Sequence, residues 1–131
     1  MKKLPRFVCS LLICVMSAVT SAADFDGSKP LICVAMEVAD CVAGDACASL
    51  SPENVNLSTF LRIDFANKQI KGEHRTTMIQ NQVNSDQTLV LQGVESGRGW
   101  SVSLAKETGD MVGVVAGQGF GFVVFGRCTV L

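Results

Sequence analysis

The chain has 131 residues, 48% hydrophobic and 18% charged, a composition that excludes an intrinsically disordered protein. That length allows one domain with a modest core, and is too short for a dinucleotide-binding unit plus a substrate domain or for an eight-fold β/α barrel of about 250 residues. Eleven basic residues face 12 acidic ones, and without Lys2, Lys3 and Arg6 of the leader described next the balance is a formal −4. No basic run is left, which argues against nucleic acid and anionic membrane as partners.

Residues 1–23 have the three-part form of a secretory leader that is cleaved near Ala23. Lys2, Lys3 and Arg6 form the positive end, residues 7–19 the apolar stretch, and Ser21-Ala22-Ala23 the small-residue cleavage site. The apolar stretch is shorter than the roughly 20 residues of a membrane span, and bulky Ile13 before Cys14 argues against a lipoprotein. The reading is therefore an exported, periplasmic domain over residues 24–131, not bound to membrane after cleavage.

Cys9 and Cys14 fall in the leader, and Cys33, Cys41, Cys47 and Cys128 fall in the domain. An even number in an exported domain reads as two disulfides, for which four cysteines allow three pairings. Cys41–Cys47 with Cys33–Cys128 is the favoured set. The first pair brackets a short glycine-containing loop whose one charged residue is Asp45. The second joins apolar segments at opposite ends of the domain. The spacing lacks the Cys-x2-Cys of common zinc sites, so no metal is expected.

From residue 31 onward, short apolar segments alternate with polar turns. Residues 31–38 form a first strand, and Ser51-Pro52-Glu53 opens a single helical turn with Ser51 as cap. In residues 60–66, Leu61, Ile63 and Phe65 share one face and Arg62 and Asp64 the other. Asn67-Lys68 turns the chain, and residues 69–72 return. Residues 76–83 make a more polar strand near an edge, and Asn84-Ser85-Asp86 turns into the strand TLVLQGV. Trp100, Val102 and Leu104 alternate with small or polar residues. Residues 106–110 close a hairpin into MVGVVAG, and GFGFVVFGRCTV is apolar enough to be covered on both sides. Seven or eight strands at this spacing, with no helical apolar period, predict an all-β antiparallel meander. The expected form is a small closed barrel or barrel-like sandwich stapled by disulfides. Closure is favoured because the last segment is too apolar for a free edge.

Few residues offer chemistry. His74, the only imidazole, sits between Glu73 and Arg75 and reads as an exposed turn residue rather than a base or ligand. Asp64, Glu73, Glu95, Glu107 and Asp110 read as solvated charges rather than an acid–base pair. Gly117-Gln118-Gly119-Phe120-Gly121 has no following helix to receive a phosphate, so its glycines serve a tight turn and close approach to an aromatic. Ser101 and Ser103 lack a nucleophile-elbow context. Asn56-Leu57-Ser58 is a glycosylation sequon that matters only in a eukaryote. Gly97-Arg98-Gly99-Trp100 places a cation beside the only indole. It reads as a turn with Trp100 as core anchor, and alternatively as a carbohydrate or anion contact. Asp45, Arg98 and Trp100 are the candidate interaction residues, and neither a catalytic residue nor a cofactor is expected.

The blocks FDGSKPLICVA, DCVAGDAC, SPENVNL, LQGVESGRGWSVS, ETGDM and GFVVFGRCT resemble a family of small exported, uncharacterised proteins of Gram-negative bacteria. The resemblance implies a periplasmic setting and assigns no active or binding residue. Two functions compete, and the first is favoured. One is a protein-interaction module, inhibitor-like or accessory to an envelope protein, presenting the stapled loop. The other is a binding protein for a small apolar ligand or glycan fragment, with the glycine-rich last strand leaving room inside the barrel. An enzyme is not expected.

Overall fold

The computed structural model describes residues 24–131, so the predicted leader, with Cys9 and Cys14, lies outside the described residues. The domain is all-β, with ten strands among the described residues. They are β1 (Leu31–Val42), β2 (Ala48–Leu50), β3 (Phe60–Asp64), β4 (Gln69–Lys71), β5 (Thr76–Met78), β6 (Asn81–Asn84), β7 (Thr88–Glu95), β8 (Arg98–Ala105), β9 (Asp110–Ala116) and β10 (Phe120–Val130). A short 3-10 turn, Pro52–Val55, lies between β2 and β3. Ser51 occupies its cap position as predicted, but its side chain makes no capping hydrogen bond.

All pairings are antiparallel, in the order β5-β4-β3-β1-β10-β9-β8-β7-β6, and the sheet curls into a barrel-like form. First and last long strands pair over their whole length, from Leu31 opposite Val130 to Val42 opposite Phe120. The other edge of β1 is shared, taking β3 along Leu31–Val34 and β2 along Val38–Asp40. Between these partners a bulge at Ala35/Glu37 turns Met36 outward.

The outermost strands of the sheet, β5 and β6, are consecutive in the chain. The single polar strand expected over residues 76–83 is thus two strands that change partner at Ile79-Gln80. The Ile79 amide donates to the Lys68 carbonyl on the β4 side, and the next amide, Gln80, donates to the Gln92 carbonyl on β7. Buried Ile79 fixes this bend, because its side chain joins the core from the middle of a polar run. The division of this strand, together with the short β2, accounts for ten strands where seven or eight were expected.

Both favoured disulfides are present, Cys33–Cys128 and Cys41–Cys47. Cys33 and Cys128 face each other directly across β1 and β10, and both are buried in the core. Cys41 lies in β1, which runs four residues past its expected end, and Cys47 lies just before β2. Such bonds persist in oxidising, extracellular-type compartments.

Inward-facing side chains form successive rows around the wall. Leu89, Leu104, Met111, Gly126 and Ala35 make one row. The next holds Leu91, Val102, Gly113, Val124 and Val38, and the next Gly93, Trp100, Val115, Phe122 and Asp40. Outward positions of β10 are not covered, contrary to expectation. Phe125 is 45% exposed beside Val112 of β9, because the barrel wall has no second layer to shield its outer face.

Candidate functional site

The two ends of the barrel are finished differently. Residues 24–30 cross the lower end, where the chain enters β1. Asn84 Nδ2 donates to the Asp26 carbonyl at 3.0 Å, and the Leu131 amide donates to the Pro30 carbonyl at 3.0 Å. Phe25 packs on the core there, so close to Gly109 that a Cβ on that glycine would stand 2.6 Å from its ring. At the upper end lie the Cys41–Cys47 loop and the turns at 51–59, 72–75, 96–97 and 117–119, and the 51–59 segment covers part of it, with Pro52 buried and Val55 and Leu57 packed on the core beside the cavity described next.

Beneath that upper end is a cavity of about 140 Å³. Leu61, Ile70, Trp100, Val102, Phe122 and Val124 supply its apolar wall, and Arg75, Glu95 and Arg98 are its charged lining residues. Glycine placement explains why space remains. Gly126, Gly113 and Gly93 stand one in each inward row, on β10, β9 and β7. The room beside Gly126 is taken by the Val34 carbonyl and the Met111 methyl, and that beside Gly93 by the Trp100 ring and the Met78 carbonyl. The atoms nearest to a Cβ at Gly113 would be Val124 at 3.6 Å, Val102 at 3.7 Å and the Ser101 carbonyl at 4.0 Å, all ordinary contacts. Its missing side chain is left uncompensated, and it lines the cavity.

Trp100 is half-buried as part of the wall, and its indole N–H donates to Thr77 Oγ1 at 3.0 Å. The indole thus closes the step between β8 and β5 while keeping a face on the cavity. Arg98 starts β8 after a tight turn whose residues Ser96 and Gly97 both have positive φ, 50° and 77°. Its guanidinium lies over the Phe120 ring, 5.4 Å from the centroid. Glu95 is its direct cross-strand partner, yet none of the ion pairs among the described residues involves Arg98, Glu95 or Arg75.

Of the candidate interaction residues, Arg98 and Trp100 come together at the cavity. Asp45 belongs to the same end but sits in the exposed stapled loop, away from the lining. That loop is braced by the Ala43 amide, which donates to the Gly119 carbonyl at 3.1 Å. The 117–121 glycines serve as expected, since a Cβ at Gly117 would overlap the Phe120 ring and Gly119 has φ of 78°. His74 is exposed, 3.8 Å from Glu73. All four domain cysteines are used in disulfides, which removes them as metal ligands.

Sequence reading missed Arg75 and Gly113 as site residues. For Gly113 the signal was present, because it shares parity with Met111 and Val115 in β9 and must therefore face inward. Arg75 carried none, because only barrel closure brings the 72–75 turn to the rim. Comparison with protein-family models, curated proteins and solved structures finds no match to this chain.

Proposed function

We propose that this domain is an exported binding protein that takes the apolar part of a small ligand into the upper cavity. The observation that carries this reading is the unfilled space at Gly113, walled by apolar side chains and bordered at the upper end by Arg75, Glu95 and Arg98. Small pockets of this kind, mostly apolar with a few polar groups at the edge, are the usual form of a ligand site. The reading is of binding rather than catalysis, since the lining hydroxyls Ser58 and Thr77 accept from the Glu73 amide and the Trp100 indole and neither is hydrogen-bonded to a base. Its periplasmic setting rests on the leader-like residues 1–23, the two disulfides and the resemblance to exported Gram-negative proteins.

A protein-interaction role is the second reading, and a different surface favours it. Met36, Phe60, Val112, Val114 and Phe125 are exposed on the outer wall formed by β3, β1, β10 and β9. Apolar groups gathered on one face suit a partner protein better than a small molecule. Native mass spectrometry of protein isolated gently from the periplasm separates the two readings. A small discrete excess mass that leaves on denaturation is the expected result. A large discrete excess would instead identify a partner protein, and the bare mass would count against a tightly held ligand.

A further inference from the structure

Cavity size and rim charge together restrict the occupant. A cavity of about 140 Å³ is close to the roughly 150 Å³ that holds one benzene molecule in an engineered protein core. Long acyl chains exceed that space. The charged lining residues are two arginines and one glutamate, a formal +1. Arg127, by contrast, is engaged by Asp110 through two hydrogen bonds of 2.8 and 2.6 Å, and Lys71 and Lys29 are paired with Asp64 and Asp24. Arg75 and Arg98 make no side-chain hydrogen bond or ion pair among the described residues, and both lie on the cavity. Arg98 rests over Phe120 although Glu95 stands opposite it in the β7–β8 pair. Its planar fork of donors therefore stays available to an incoming group, and that fork matches a carboxylate in two parallel hydrogen bonds. Glu95 on the same lining disfavours a dianion.

We propose that the ligand is a monocarboxylate whose apolar part has the bulk of a single six-membered ring, lodged against Trp100 and Phe122 with its carboxylate toward Arg75 and Arg98. This rests on the cavity being the binding site, and the test separates the two claims. Trp100 is the only tryptophan and there is no tyrosine, so intrinsic emission reports on the cavity wall alone. Emission of the exported protein is titrated with benzoate, with benzamide as its neutral isostere, with phenyl phosphate and with dodecanoate.

Benzoate is expected to act at a concentration at least about tenfold below benzamide, since a charge-assisted hydrogen bond is the stronger kind. In R75Q/R98Q that advantage disappears while benzamide titrates as before, and the thermal midpoint falls only slightly, since both arginines are exposed and the Arg98 contact with Phe120 is the one interaction lost. Equal titration by benzoate and benzamide in the natural protein, or an unaltered benzoate advantage in R75Q/R98Q, overturns the carboxylate assignment and leaves the cavity reading standing. Phenyl phosphate acting below benzoate overturns the monoanion, and dodecanoate acting below benzoate overturns the size. Silence from all four probes, with Gly113→Val behaving like the natural protein, removes the cavity reading itself.

Discussion

At the lower end of the barrel Leu31, Leu89, Leu104 and the Cys33–Cys128 bond are buried under Phe25, whereas at the upper end Trp100, Val102 and Phe122 stand around open space. Both ends are built from the same strands with the same alternation, so pattern alone does not distinguish them. What differs is how each inward glycine is answered. Gly126 and Gly93 are met by large neighbours, and Gly113 is not. A binding cavity in so small a barrel needs only one inward position left unfilled. Stability can then be held at one end while the other gives up packing.

The two disulfides divide the same way, and removing them one at a time is the largest perturbation of this contrast. Cys33–Cys128 spans 95 residues and lies in the packed core, while Cys41–Cys47 spans 6 and braces a rim loop. Chain-entropy reasoning assigns about 4–5 kcal/mol to the long loop and about 2 kcal/mol to the short one. Urea unfolding of C33A/C128A should therefore show a far lower midpoint than C41A/C47A. Similar losses in the two variants would mean that the long bond does not tie the first strand to the last as the pairing of β1 with β10 implies.

A smaller perturbation uses one substitution at two places. Gly126→Ala pushes a methyl group into the Val34 carbonyl, which is backbone and cannot move aside, so a loss of about 1–3 kcal/mol is expected from overpacking. Gly113→Ala meets only ordinary contacts and has no positive φ, so it should gain about 0.4–1 kcal/mol by restricting the unfolded chain. Opposite signs in denaturant unfolding sharpen the comparison of filled and unfilled rows. A loss at Gly113 as large as that at Gly126 would mean that the space beside it is not open.

Much of this architecture was legible in the chain. The alternation of Trp100, Val102 and Leu104 gave β8 its buried face, and the cysteines at the two apolar ends pointed to the first and last strands as neighbours. Closure was expected, but the way the chain makes it was not legible, because residues 76–83 look like one polar strand. Only the burial of Ile79 makes the chain change partner there, and burial is decided by what lies opposite. The outer exposure of Phe125 escaped for a related reason. A run apolar at every position signals burial on both faces, yet here the outward residues of β10 lie on a wall that no second layer covers. As for the site, Arg98 and Trp100 stood out as a cation beside the only indole. The space below them depends on cross-strand register, which puts Gly113 between Val102 and Val124 and is set by the whole sheet.

The smallest expected effect concerns acid. Asp26, Asp64 and Asp110, all at or near the lower end, and Glu53, near the upper, hold their carboxyls below the ordinary range. For Asp110 the main cause is the Thr108 hydroxyl, which donates at 2.8 Å, followed by the Arg127 guanidinium on the neighbouring strand. The sign follows from the direction of the shift. A carboxyl lowered in the folded state contributes stability that is complete above the unfolded value, about 3.9 for aspartate, and is lost as pH falls through the folded value. Glu53 and Asp110 are solvent-exposed and Asp26 and Asp64 only half-buried, so screening keeps each contribution slight. The difference in urea midpoint between the natural protein and D110N should therefore be small near neutrality and vanish once pH has fallen below the lowered carboxyl value. Were that difference to persist in acid, the Asp110 contribution would lie in packing rather than in its charge, and the lower end would owe its stability to its apolar plug alone.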